Sequence, residues 1–129
     1  MLQNLKFRQL VDLYAIVRQS PNAPVPIWAA TGHFTSITRT AEELSIICPA
    51  ENIPAEFVPA LRWICLKLEG PFPFSQTGVL LSFIAPLSSN SIPIFAMSTY
   101  DTDYVLVPQE HATRALDLLN EAGHELIKE

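Results

Sequence analysis

The chain has 129 residues, of which 49% are apolar and 16% charged, and a formal net charge of −5. This balance rules out a disordered chain, and eight Lys and Arg residues scattered singly argue against nucleic acid and anionic membranes, which attract clustered positive charge. A chain of this size buries about two-thirds of its unfolded surface, enough for one domain or two very small ones, and the low charge content points to apolar surface shared with a partner subunit.

Met1 to Phe7 has no apolar core bounded by a cleavage site, so no secretory signal is read there. The longest apolar run, Val79 to Leu87, is interrupted by Ser82 and Pro86 and falls short of a membrane span. Cys48 and Cys65 each sit in an apolar, strand-like run and read as buried thiols in a reduced, cytoplasmic setting.

Leu10 to Val17 alternates as a first strand. Pro21, Pro24 and Pro26 then force a turn and leave room for one short helical turn around Ile27-Trp28-Ala29. His33 to Thr38 and Glu43 to Pro49 read as a hairpin across Arg39-Thr40-Ala41-Glu42, and Pro54 and Pro59 limit residues 52–59 to a single helical turn. Trp63 to Leu68 is a strand ended by Glu69-Gly70-Pro71, followed by a loop, Phe72 to Thr77.

Leu80, Phe83, Ile84 and Leu87 give the apolar stripe of a helix, which Pro86 bends or ends near its last turn. Ile92 to Met97 and Tyr104 to Val107 are two apolar strands around a turn rich in oxygen atoms, with Ser98, Thr99, Asp101, Thr102 and Asp103. A second helix begins at Pro108 or Gln109 and buries Ala112, Ala115, Leu116 and Leu119. Gly123 caps it, and His124 to Ile127 forms a last strand.

The C-terminal half is thus strand, helix, strand, strand, helix, strand, the ferredoxin-like βαββαβ arrangement. The N-terminal half repeats that order with its helices worn down. The expected architecture is an α+β protein of two similar units, residues 1–61 degenerate and residues 62–129 complete.

Leu66-Lys67-Leu68-Glu69-Gly70-Pro71, Thr77-Gly78-Val79-Leu80 and Ile92-Pro93-Ile94-Phe95 together resemble an ACT domain, a small ligand-binding module. Phe34 to Thr40 and Glu43 to Ile46 extend the resemblance to small stand-alone tandem-ACT proteins, and to the ACT pairs of aspartate kinases and the cytosolic arginine sensors. The resemblance implies non-catalytic, regulatory and allosteric binding of a small molecule, usually an amino acid, at an interface between two ACT units. It implies a homodimer or a pairing of the two halves. The loop residues Gln76, Thr77, Gly78 and Val79 match those that hold the ligand through backbone groups, and Ile94, Phe95 and Ala96 match the facing wall. Many family members carry an acid where this chain has Gln76.

The residue chemistry agrees with that implication. Free amides at a helix N-terminus favour a carboxylate, and a glycine lets a ligand approach the backbone. Asp101 and Asp103 offer charge-assisted bonds to an ammonium or guanidinium, or form a solvated turn pair. Gly78 equally serves a tight turn without a ligand, and Ser98 and Thr99 equally serve hydrogen bonding at the sheet end.

No cofactor is expected: His33, His111 and His124 lack zinc spacing, nothing at calcium-loop spacing follows Asp101-x-Asp103, and no phosphate loop or nucleophile elbow is present. Trp28 and Trp63 read as core residues. The alternative to a sensor is a protein–protein interaction module with a vestigial pocket.

Overall fold

The computed structural model describes residues 3–128. In chain order the strands are β1 (Lys6–Gln9), β2 (Tyr14–Gln19), β3 (Ser36–Arg39), β4 (Leu44–Pro49), β5 (Trp63–Leu68), β6 (Phe95–Ser98), β7 (Asp103–Pro108) and β8 (Glu125–Leu126). The helices are α1 (Val79–Ser88) and α2 (Ala112–Glu121), with short 3-10 turns at Ile27–Ala30, Ala50–Asn52 and Gln109–His111. Two compact units result, one of Val11–Trp63 and one of Met1–Leu10 with Ile64–Glu129.

In the larger unit the strands run in the order β6-β7-β5-β1-β8. Alternate residues of each strand face one side, so Phe7, Ile64, Leu66, Leu68, Val105 and Val107 line one surface of the sheet. They pack against Val79, Phe83 and Leu87 of α1 and Ala115 and Leu119 of α2. Each large side chain buried this way contributes about 1.5–3 kcal/mol. Phe83 is fully buried and meets the Phe7 ring edge-on, with centroids 5.1 Å apart.

Both helices follow the apolar stripes read from the sequence. Pro86 sits in the last turn of α1, where Asn90 donates its side-chain amide to the Pro86 carbonyl at 2.7 Å. Gly123, at φ 97°, ends α2 as expected, and the next residue's N–H returns to the Leu119 carbonyl at 3.0 Å.

The start of the chain differs from the sequence reading. Residues 10–17 are not one strand: β1 ends at Gln9 and β2 begins at Tyr14, with Val11 83% exposed in the bend between them. β1 pairs antiparallel with β5, Phe7 opposite Leu68, and parallel with β8, Lys6 opposite Glu125. It therefore stands between the strands that a ferredoxin-like unit would set side by side. Residues of the N-terminal segment belong to the C-terminal unit, where the sequence placed them among residues 1–61. Trp28 and Trp63 are half-buried rather than fully enclosed.

The smaller unit is the hairpin β3-β4 with β2 on the other side of β4, both pairings antiparallel. Ala15 and Val17 of β2 and Leu44, Ile46 and Cys48 of β4 form its core with Ala29, Ala50 and Ile53. The two units close their central hairpins alike. The Thr40 N–H donates to the Glu43 carbonyl at 2.9 Å, and the Thr99 N–H to the Thr102 carbonyl at 2.8 Å. In each turn the threonine Oγ1 also accepts the N–H at the far end, at 3.2 Å from Glu43 and 3.3 Å from Thr102. β4 and β7 then end in prolines of matching conformation, Pro49 at φ −54°, ψ 130° and Pro108 at φ −53°, ψ 136°, each leading into a 3-10 turn. Where the larger unit has α1, the smaller has only the 3-10 turn Ile27–Ala30.

Candidate functional site

The candidate site lies in the larger unit, where the loop from β5 to α1 meets the β6–β7 turn. Gly70 makes that meeting possible: a Cβ there would stand 2.8 Å from the Asp101 carbonyl oxygen. The same carbonyl accepts the Phe72 N–H at 2.9 Å, fixing the loop to the turn. Thr102, which sequence reasoning treated only as a turn oxygen, is buried and donates its hydroxyl to the Leu68 carbonyl at 2.8 Å. It anchors the turn to the end of β5.

Together these contacts shape a recess of about 350 Å³ lined by Pro71, Phe72, Pro73, Phe74, Tyr100 and Asp101. The Phe74 and Tyr100 rings meet edge-on with centroids 5.0 Å apart, yet the residues are 76% and 80% exposed. Exposed aromatic faces beside a carboxylate suit a cation, which the ring quadrupole and the negative charge both attract. Of the residues expected from the sequence, only Asp101 lines this recess. The aromatic members were passed over as loop, although Phe72-Pro73-Phe74 is a dense apolar string for a loop.

The other expected residues fall into two groups. Ser98 donates its hydroxyl to Asp103 Oδ1 at 2.5 Å, and Thr99 Oγ1 is held by the Thr102 carbonyl at 3.1 Å. Ser98, Thr99, Thr102 and Asp103 thus bond within the hairpin, the reading weighed against ligand contact for Ser98 and Thr99. Ile94 and Phe95 are half-buried and Ala96 is exposed; β6 pairs with β7 alone among the described strands, so its outer edge carries no ladder.

Gln76, Thr77, Gly78 and Val79 form the start of α1. Gly78 is the N-terminal cap residue at φ 78°, ψ 1°, the left-handed region that favours glycine, and no side chain caps the helix there. The cap residue thus supplies no side-chain bond to the first amides of α1, donors of the kind that suit an anion. The Gly78 carbonyl takes two bonds from Ser82, from its N–H at 2.9 Å and from its hydroxyl at 2.7 Å. A residue that the sequence did not single out reaches the same place. Gln3 donates its N–H to Ser82 Oγ at 3.0 Å and its side-chain amide to the Thr77 carbonyl at 3.0 Å, and accepts the Gln76 amide at 2.8 Å.

His124 is buried beneath this loop. Its Nδ1 accepts the Leu5 N–H at 3.0 Å, so its proton is on Nε2, which donates to the Ser82 carbonyl at 2.9 Å. The cysteines hold no reactive thiolate: burial pushes Cys48 up to about 11 and Cys65 up to about 12. Burial, with Cys65 and Asp101 nearby, also raises the Tyr104 phenol above its usual value. Among the described residues no three His, Cys, Asp or Glu side chains converge as a metal site, and no helix is long and apolar enough to cross a membrane.

Residues 60–121, which carry the recess, the helix start and the open strand edge, match the family model of the ACT domain. Just under half of the chain is thus covered by the ACT domain family model. Residues 12–56 match a separate model, that of an N-terminal domain. A crystal structure of an Agobacterium tumefaciens protein is 42% identical to this chain and superposes on 98% of it and 95% of its own length with a TM-score of 0.88. A Vibrio cholerae protein of unknown function, 19% identical, shares the fold at a TM-score of 0.71 over 98% of this chain and 92% of its own.

Among curated proteins, the cytosolic arginine sensor for mTORC1 subunit 1 of Bos taurus is 28% identical over 110 residues, 71% of this chain and 33% of its own length. The Homo sapiens protein CASTOR3P is 34% identical over 87 residues, 57% of this chain and 53% of its own. The chain spans a third to about half of the length of these relatives. Its ACT domain has the ferredoxin-like strand and helix order with β1 added.

Proposed function

We propose that this ACT-domain chain is a non-catalytic regulatory module that binds a small molecule, an amino acid, at the uncapped start of α1. The observation that carries the reading is the left-handed Gly78 at a helix start without a side-chain cap. There the backbone amides favour a carboxylate. The aromatic recess with Asp101 provides a nearby place for a cationic group. The likeness to proteins named as arginine sensors supports an amino acid as the ligand class.

In this reading Thr77, Gly78 and Val79 contact the carboxylate, Gln76 flanks it, and Asp101 takes the cationic end. Ile94, Phe95 and Ala96 form the wall of a second ACT unit, supplied by a homodimer in the cytoplasm. Asp103, Ser98 and Thr99 shape the turn, and the smaller unit, Val11–Trp63, and the larger one act as two ACT-like halves of an allosteric device.

The test is a thermal-shift screen of the purified chain against the twenty amino acids at millimolar concentration. A ligand at about a hundred times its dissociation constant adds about 2.7 kcal/mol of stability, a shift of several degrees. A shift with one or two amino acids, lost in Gly78→Leu, supports the reading, and a flat screen of the folded protein refutes it. One observation favours the second reading, a module that only holds a partner protein: Phe74 and Tyr100 expose most of their surface. A flat screen together with partner capture that Phe74→Ala and Tyr100→Ala abolish would decide for it.

A further inference from the structure

We propose that Gln3 is a positioning residue for the Gln76–Gly78 turn, a clamp by which the segment preceding β1 sets the shape of the start of α1. Three observations assign this role. The turn lies outside regular structure: the residues from 69 to 78 contain no helix or strand. Gln76 N–H donates to the Pro73 carbonyl at 2.9 Å, and the Phe72 tie to Asp101 lies further back. Gln3 meets the turn with both ends of its amide, donating to Thr77 and accepting from Gln76. A planar amide that donates and accepts at once fixes the spacing of its two partners.

The third observation is that the segment carrying Gln3 is itself locked from below. Ser82 and His124 are 2% and 3% exposed within the core, where polar groups persist only when bonded. Ser82 Oγ accepts the Gln3 N–H and donates to the Gly78 carbonyl, while its main-chain carbonyl takes the His124 proton. His124 in turn accepts the Leu5 N–H. One continuous polar path therefore runs from the buried histidine through Ser82 to both Gln3 and Gly78. The buried part sets the register of residues 3–5. That register brings the Gln3 side chain over the turn.

This assignment has a consequence for binding that rests on the proposed function. Gln3 occupies the Thr77 carbonyl and leaves the first amides of α1 open, so a ligand finds donors there and an acceptor already taken. The helix start then favours the acid end of an amino acid over its amine end.

The experiment is nitrogen-15 relaxation on the full chain without ligand, comparing the wild type with Gln3→Ala, Gln76→Ala and the double variant. The main-chain order parameters of Thr77 and Gly78 should fall from about 0.85 to below about 0.6 in Gln3→Ala. Those of Phe83 and Val105, in the core, should not change. The double variant should be no looser than Gln3→Ala alone, because both changes break one linkage. Unchanged order parameters at Thr77 and Gly78 would overturn the assignment, and so would strictly additive effects of the two variants.

If Gln3→Ala fails to fold, Gln3→Glu gives the same readout, since it keeps the shape and the bond from Gln76 but repels the Thr77 carbonyl. For any amino acid that stabilises the wild type, the dissociation constant should rise at least fivefold in Gln3→Ala; an unchanged constant would overturn the consequence for binding. A wild type that binds no amino acid would refute the proposed function, while the relaxation result would still decide the role of Gln3.

Discussion

Replacing Gly78 by alanine separates backbone conformation from crowding at the start of α1. The residue sits at φ 78°, and a Cβ built there finds nothing nearer than Gln3 Nε2 at 3.9 Å, an ordinary contact. The substitution therefore carries no clash, and its cost is the left-handed penalty of an L-residue, about 1–2 kcal/mol. For a chain of this size each kcal/mol lowers Tm by about 3–5 °C. Gly78→Asn should cost less, because asparagine tolerates this region better. Gly123→Ala provides the contrast. Its φ is 97°, and a Cβ would stand 2.8 Å from Asn4 Oδ1, so crowding adds to strain and the loss should exceed that of Gly78→Ala. Calorimetric melts of the three variants give the order directly. A Gly78→Ala protein that melts with the wild type would refute the reasoning, since the turn would then not be held in the left-handed region in solution.

Three further outcomes follow from buried side chains. Phe83→Ala removes a fully buried ring packed edge-on against Phe7 and should cost about 3–5 kcal/mol in urea unfolding. Cys48 and Cys65, with thiols raised from 9.0 to about 11 and about 12, should resist a thiol reagent at pH 8 in the native state and react fully in denaturant. Because the folded thiols keep their protons above the unfolded value, their contribution to stability is complete below about pH 9. It declines as pH rises from there toward about 12. Alkaline melts that show no such decline would contradict the burial of these groups.

What the sequence made legible was periodic. Trp63 to Leu68 could be bounded to the residue because an apolar run met Gly70-Pro71, and the spacing of Leu80, Phe83, Ile84 and Leu87 exposed α1 in spite of Pro86. The repeated order was read from the elements alone, strand, helix, strand and strand in both halves, whereas the matching turns at Thr40 and Thr99 show only in the hydrogen bonds. β1 was missed because Lys6-Phe7-Arg8-Gln9 offers a single buried side chain, and four residues cannot display a period. Its partners, Leu68 and Leu126, lie far along the chain, and only pairing reveals them. The site was half legible for the same reason. Gly78 announces a turn by its type alone, whereas the recess depends on Phe74 reaching Tyr100, and the clamp on Gln3 reaching Thr77. No local pattern encodes either meeting.

The place of β1 also has a bearing on how the molecule is made. Residues 6–9 leave the ribosome well before the strand they pair with, β5, which follows only after the whole of Val11–Trp63, and β8 comes later still. The smaller unit can fold as soon as it emerges, with local pairings that close short loops. The larger unit must wait for β5 and β8, and until then its first strand is an unpaired edge with Phe7 uncovered. A nascent chain of this design is most exposed to wrong pairing in the interval between the two events.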